Sequence, residues 1–359
     1  MSKYQRPNIR RMDGYSWGEQ PQDRQTIKLN TNENPYPPSP AVADALSNFT
    51  AAELRTYPQP TADVMREHIA KLHDLSTRQV VVTHAGDEAL RLAITTYVSP
   101  GGTFASTDPS YSLYPVLAQI QDARTLRVEL EANWSIPPDF PAQARAADAQ
   151  LTCLVNPHAP SGYLTPVEQL HRIADNISGV LLIDEAYADF IDPDIGYTRR
   201  ELVTQHDNIL VLRTFSKGYS LAGLRLGYLL GAEELIRPII EKTRDSYNID
   251  AISQSLGIAA LRDQDYARAT WEKVREQRQF LAQALNDLGW SCLASEANFL
   301  LSTPPPNSIG AAEIYKRLKA EGILVRYFDH PRLHDKLRIS IGTKEQNQVL
   351  LENLRRLCR

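Results

Sequence analysis

Thr214-Phe215-Ser216-Lys217-Gly218-Tyr219-Ser220-Leu221-Ala222-Gly223-Leu224-Arg225-Leu226-Gly227-Tyr228 comes just after the apolar run Ile209 to Leu212. A strand-length apolar segment ends, hydroxyl residues stand beside a lone lysine, and an arginine follows among glycines that let backbone approach other atoms closely. Lysine is nucleophilic when its amine is held dry and near other positive charge, and its pKa shifts readily on burial. Lys217 is therefore the candidate nucleophile. Thr214 and Ser216 can donate hydrogen bonds to phosphate oxygens, and Arg225 offers a planar fork that binds phosphate bidentately. That is how a chain would hold a phosphorylated ring beside an amine.

Those requirements describe a pocket for pyridoxal 5'-phosphate, whose aldehyde forms a Schiff base with lysine. An isolated lysine is more often a surface charge, so the assignment depends on partners elsewhere in the chain. Upstream, Val180-Leu181-Leu182-Ile183-Asp184-Glu185-Ala186-Tyr187 is an apolar strand with an acid at its carboxyl end, where open α/β sheets place their ligands. A carboxylate there pairs with a pyridine nitrogen and keeps it protonated, which sharpens the ring as an electron sink. Asp184 is that acid.

The two segments together resemble the fold-type I pyridoxal-phosphate aminotransferases. Arg213-Thr214-Phe215-Ser216-Lys217 and Leu221-Ala222-Gly223-Leu224-Arg225 resemble the histidinol-phosphate aminotransferase branch. The likeness runs from about Tyr15 to Gly342. It implies an aspartate-aminotransferase-like large domain with a smaller α+β domain after it, and a transaminase that exchanges an amino group between glutamate and histidinol phosphate. It further implies residue roles. Gly86 and Asp87, at a strand-to-helix turn, take the cofactor phosphate, as helix N-termini bind anions. Tyr111, in Asp108-Pro109-Ser110-Tyr111, stacks on the ring. Asn156, opening Asn156-Pro157-His158-Ala159-Pro160-Ser161-Gly162, hydrogen-bonds the cofactor's phenolic oxygen, beside Tyr187. His158 and Ala159 depart there from the family's commonest Asn-Asn pair, and His84 has no family role.

For the substrate, the resemblance puts Asn34, within Leu29-Asn30-Thr31-Asn32-Glu33-Asn34-Pro35-Tyr36, and Tyr15 at the mouth of the site. Arg338 clamps the α-carboxylate. Arg326 meets the distal phosphate with Tyr15 and with Tyr57, which reaches the site from a neighbouring subunit and also touches its cofactor. That makes the active unit a homodimer completed in trans. An arginine inside a strand is costly to bury unless it meets an anion, which agrees with both assignments. The same frame also serves aromatic aminotransferases and lyases such as threonine-phosphate decarboxylase, so the substrate stays open. A regulatory protein that had kept the fold without chemistry would show a decayed pocket, and here the pocket residues are all present.

Bulk properties bound the rest. A chain of 359 residues allows about two domains. We expect an arm over residues 1–40, a large domain over 41–245 and a small one over 246–359. Periodicity predicts helices over 40–49, 61–73, 86–97 and 266–288. Apolar runs predict strands over 80–82, 103–106, 151–155 and 180–184, then 298–301, 323–326 and 337–342. Strand and helix alternate from Val80 to Leu230, which predicts a mostly parallel sheet with right-handed crossovers. A net charge of −4 supplies no basic field for nucleic acid. Cys153, Cys292 and Cys358 are odd in number and lack metal spacing, which favours a reducing, cytoplasmic compartment over a disulfide framework. No metal and no membrane partner is expected.

Overall fold

The computed structural model describes residues 2–21, 23 and 25–357; Cys358 lies outside the described residues. Its centre is a seven-stranded sheet. The strands are β1 (Val80–Thr83), β2 (Thr103–Asp108), β3 (Arg124–Glu129), β4 (Ala149–Val155), β5 (Val180–Asp184), β6 (Ile209–Thr214) and β7 (Gly227–Gly231). Their spatial order is β1-β7-β6-β5-β4-β2-β3. The run from β6 to β3 is parallel, and β7 is antiparallel to both its neighbours, β1 and β6.

The apolar runs form these strands because both faces of the sheet are covered. Along β5 and β6, Leu181, Ile183, Ile209 and Val211 enter one core cluster, while Leu182, Leu210 and Leu212 enter the cluster on the opposite face. Each fully buried leucine or isoleucine contributes about 1.5–3 kcal/mol of transfer free energy. Parallel strands align their carboxyl ends, so Asp108, Val155, Asp184 and Thr214 fall along one edge of the sheet.

Strand β3 is a departure from expectation. Its residues Arg124–Glu129 alternate weakly and are mostly exposed or half-buried, because it is the sheet's edge; without a buried face the sequence carries little apolar signal.

A second, four-stranded antiparallel sheet contains β8 (Ser291–Cys292), β9 (Phe299–Thr303), β10 (Arg326–Tyr327) and β11 (Leu337–Ser340), in the order β10-β11-β9-β8. The single strand expected over 323–326 divides. Ile323–Leu324 pairs in parallel with Ile27–Lys28 of the N-terminal segment, and Arg326–Tyr327 pairs with Leu337–Arg338. The chain crosses between two sheets at buried Val325, so one apolar run serves two neighbours. The long helix Gln264–Asp287 backs this sheet through Val274, Leu281 and Leu285. Helix Ala251–Arg262 packs instead on helices Pro40–Asn48 and Asp63–His73, with Leu256, Ala260 and Leu261 in the first core cluster of the large sheet.

Candidate active site

A cavity of about 740 Å³ opens where the carboxyl edge of the large sheet meets the small sheet and the N-terminal segment. Lys217 enters it from the loop after β6. Phe215 anchors that loop: its ring is fully buried and packs 4.9 Å from Tyr219 and 5.9 Å from Tyr228, centroid to centroid. Gly218 follows because there is no space for a side chain. A Cβ there would meet Asp189 Oδ2 at 2.1 Å. The Gly218 carbonyl accepts from Trp271 Nε1 at 2.7 Å and from Asn34 Nδ2 at 3.2 Å. Behind the loop, Arg213 is buried against Glu185 and Asp189, and Arg199 pairs with Glu185 at 2.6 Å.

The Lys217 amine donates to the Thr31 carbonyl at 2.7 Å. Burial lowers its pKa to about 8, helped by the positive charges of Arg338, Lys28 and Arg225, while Glu33 pulls the other way. A lysine in water titrates at about 10.4, so this amine is far more often neutral and nucleophilic at physiological pH. In the apoprotein, labelling of Lys217 by a small amine-directed reagent should therefore rise with pH and reach half its plateau near 8, as followed by peptide mass mapping. A midpoint above about 10 would show an ordinary solvated lysine.

Asp184 ends β5 inside the cavity. Tyr114 Oη donates to its Oδ2 at 2.7 Å and the Ala186 N–H to its Oδ1 at 3.1 Å. Burial nevertheless raises its pKa to about 6, and Asp87 and Glu185 add to the effect. No cation among the described residues pairs with it. Tyr114 went unnoticed in the sequence, although it lies one helical turn beyond Tyr111 at the start of helix Leu113–Ile120; that i, i+3 spacing was the available signal.

The expected anion cluster assembles at one end of the cavity. Helix Ala85–Tyr97 starts there with Gly86 and Asp87. Arg225 Nη2 donates to Asp87 Oδ2 at 3.1 Å, and its Nη1 lies 3.5 Å from Ser216 Oγ. Thr214 Oγ1 donates to Ser216 Oγ at 3.0 Å. Because the Asp87 carboxylate occupies the guanidinium, that residue could hold a phosphate only through its backbone N–H. His84 is exposed and holds Glu88 through its backbone N–H.

From the small sheet, Arg326 and Arg338 are directly opposite one another on β10 and β11, and both line the cavity. Arg338 donates to the Asn30 carbonyl at 2.8 Å and lies over Phe299 and Phe328, at 5.3 and 5.4 Å. Neither arginine has a carboxylate partner among the described residues. Tyr15 and Tyr111 meet edge to face at 6.0 Å on the cavity wall.

Two expected residues, Asn156 and Asn34, lie outside the cavity lining. Asn156 does not line the cavity. Its Oδ1 accepts from Thr165 N–H at 2.8 Å, and its Nδ2 donates to the Thr165 carbonyl at 3.2 Å and to Tyr197 Oη at 3.3 Å. The amide is consumed in closing the loop after β4, and Ala159 and Pro160 present that turn to the cavity. Asn34 is likewise turned away from the mouth, with its amide on the Gly218 carbonyl and the Tyr36 N–H; it braces the lysine loop from behind. Tyr57 is 81% exposed, stacked 4.5 Å from Tyr247, and outside the cavity of its own chain. His158 proves structural. It bonds Ser161 Oγ at 2.7 Å and the Pro109 carbonyl at 3.0 Å, and burial holds its pKa down near 4.

Several cavity residues carried no recognisable pattern: Asn30, Thr31, Asn32 and Glu33 on one wall, Phe328 and His330 on another. Four of these neighbour Asn34 in the stretch 29–36, where sequence alone does not say which side chains turn inward.

The cavity suits an anionic, aromatic cofactor. Arg338 Nε and Ser110 Oγ are buried without a hydrogen-bond partner, and the Asp184 carboxyl lacks a cation. Such groups cost about 1–3 kcal/mol each if left unpaired, and a phosphorylated pyridine with an amino-acid substrate would satisfy them.

Comparisons with known proteins agree. The family model for aminotransferase class I and II matches residues 24–354. Histidinol-phosphate aminotransferase 1 of Trichormus variabilis is 41% identical over 360 aligned residues, covering 100% of each chain. The Geotalea uraniireducens histidinol-phosphate aminotransferase is 40% identical, covering 98% of this chain and 99% of its own. Among solved structures, the Sinorhizobium meliloti histidinol-phosphate aminotransferase in complex with pyridoxal-5'-phosphate superposes with a TM-score of 0.91 at 24% identity, covering 100% of this chain and 98% of that one. Thermus thermophilus aspartate aminotransferase shares the fold at a TM-score of 0.80 and 20% identity, covering 99% and 100%.

Proposed function

This chain belongs to the aminotransferase class I and II family, and from that premise we propose that it is a pyridoxal-phosphate-dependent histidinol-phosphate:2-oxoglutarate aminotransferase. The observation that carries the substrate class is the cross-strand pair Arg326 and Arg338. Two guanidinium groups face one cavity with no acid paired to either among the described residues, which suits a substrate with a doubly charged anionic end.

Pyridoxal phosphate, when bound, supplies an electron sink for charge developing at the substrate α-carbon. The protein's part is to hold and to move protons. Gly86 and Asp87 N–H, Thr214, Ser216 and Arg225 would hold the phosphate. Asp184 would hold the proton of the ring nitrogen, Tyr111 would pack on the ring, and Tyr187 would donate to the phenolic oxygen. Lys217 would carry the proton at the α-carbon, for which its pKa of about 8 is well matched. Arg338 would orient the substrate's carboxylate or phosphate, with Arg326 and Tyr15 beside it.

Two measurements test this. In single-turnover amounts, the loaded protein mixed with L-glutamate should release one equivalent of 2-oxoglutarate per site; release of CO2 or ammonia instead would make it a lyase or an oxidase. In steady state, histidinol phosphate should exceed phenylalanine, tyrosine and threonine phosphate in kcat/KM. Arg326→Leu should cut kcat/KM for histidinol phosphate by about tenfold to a hundredfold, the worth of a charge-assisted hydrogen bond. An equal loss on phenylalanine would remove the phosphate role.

The same reading makes the active unit a homodimer. What supports this is that Tyr57 is 81% exposed, stacked on exposed Tyr247, and so free to meet a neighbouring subunit. Sedimentation at assay concentration should give twice the chain mass; an active monomer would defeat the trans assignment. Among the described residues no helix is long and apolar enough to cross a membrane. Cys153 and Cys292 are free thiols, in keeping with work in the reducing cytoplasm.

A further inference from the structure

Asn32 lies buried against Tyr187, held by hydrogen bonds from its backbone and its side chain. Its backbone N–H donates to Ser340 Oγ at 2.9 Å, and the Ser340 hydroxyl donates back to Asn32 Oδ1 at 2.8 Å. The single proton of the serine hydroxyl is used only when Oδ1 is its acceptor, so this exchange favours one orientation of the amide. Oδ1 faces Ser340, where it takes the hydroxyl proton, and Nδ2 faces the other way and donates to Tyr187 Oη at 3.2 Å. Asn298 Nδ2 fixes the backbone of the same residue by donating to the Asn32 carbonyl at 2.9 Å.

Tyr187 Oη is thus an acceptor on its protein side, and its own proton has to leave in another direction. No second partner for that hydroxyl exists among the described residues, and burial raises its pKa, so the proton stays on. Tyr187 and Asn32 both line the cavity with Asp184 and Lys217. With Asn156 turned away, Ala159 and Pro160 offer no side-chain donor on that flank.

We propose that Asn32 is a positioning residue: locked by Ser340, it commits the Tyr187 hydroxyl proton to the cavity, where it serves the phenolic oxygen of the cofactor. This rests on the role given to Tyr187 above.

The test compares equilibrium binding of pyridoxal phosphate and of 3-deoxypyridoxal phosphate, which lacks the phenolic oxygen. The quantity read is the ratio of the two dissociation constants in each variant. Tyr187→Phe should lower the wild-type preference for pyridoxal phosphate by about tenfold or more, the worth of a hydrogen bond to a charged oxygen. Asn32→Asp should lower it as much, because a carboxylate only accepts and would draw the tyrosine proton to itself. Asn32→Ala should retain the preference to within about threefold, since the proton remains free to face the cavity. A merely structural role would give the opposite order, with the isosteric change milder than truncation. Ser340→Ala, which adds no charge and frees the amide to turn, should lower the ratio by about threefold or more.

The proposal is overturned if Asn32→Asp keeps the wild-type ratio, if Asn32→Ala loses it as fully as Tyr187→Phe, or if Ser340→Ala leaves it unchanged. Retention of the preference by Tyr187→Phe would sink the role of the tyrosine itself, and the part of Asn32 with it.

Discussion

Lys217→Ala should lower kcat for transamination by more than about a thousandfold, with the fold intact. Proton transfer by a positioned side chain contributes about 10²–10⁴, and among the described residues the same amine is the only lysine lining the cavity, so the loss of the tether and of the proton carrier fall on one residue. The protein would not miss the amine structurally. It makes one hydrogen bond, to the Thr31 carbonyl, and burial works against its charged form. The melting temperature of the apoprotein should therefore stay level or rise while turnover disappears. Lys217→Arg, which keeps a charge but cannot act as a neutral amine at this pH, should fail equally. A variant that keeps full activity would refute the site.

Asp184→Asn should lower kcat by about two to four orders of magnitude. A buried ion pair that loses one partner typically loses about 3–5 kcal/mol, and each 1.36 kcal/mol in the barrier is a factor of about ten. The substitution is nearly isosteric: the amide oxygen can still accept from the Ala186 N–H, and the amide nitrogen can donate to the Tyr114 hydroxyl, which then accepts. Without cofactor, the change should not destabilise. Burial raises the Asp184 pKa from 3.8 to about 6, so folding takes up a proton between those values. Stability from this group is whole at low pH and declines as pH rises through that window. The Asn variant lacks the decline. Thermal melts of the two apoproteins should diverge between about pH 4 and pH 6 and stay apart above it, with the variant the more stable, while its turnover with glutamate is the lower of the two. A variant with wild-type kcat would show that no cation is held there.

Both residues were legible from sequence for the same reason. Asp184 closes an unbroken apolar run, and Lys217 sits in a hydroxyl-rich loop just past another. The end of a buried parallel strand is set within a few residues, by where the apolar run stops. Parallel strands then carry their last residues to a common edge, so two short local patterns place two side chains in one cavity. Arg338 was readable by a similar argument, as a charge in a strand that must meet an anion.

The amide side chains obeyed no such rule. Asn32, Asn34 and Asn156 all lie in turn-rich stretches, and from sequence each could equally face inward. Thr165 takes Asn156, the Gly218 carbonyl takes Asn34, and Ser340, 308 residues away in the chain, turns Asn32. Edge strand β3 and the divided run 323–326 were hidden for a related reason, since a neighbouring strand rather than a local apolar period decided them. Strand ends and buried runs were thus determined by the sequence itself, because burial is written into nearest neighbours. Which amide faces the cavity, and which way the Tyr187 proton points, was left to the tertiary structure, because a hydrogen bond goes to whichever partner folding brings within about 3 Å.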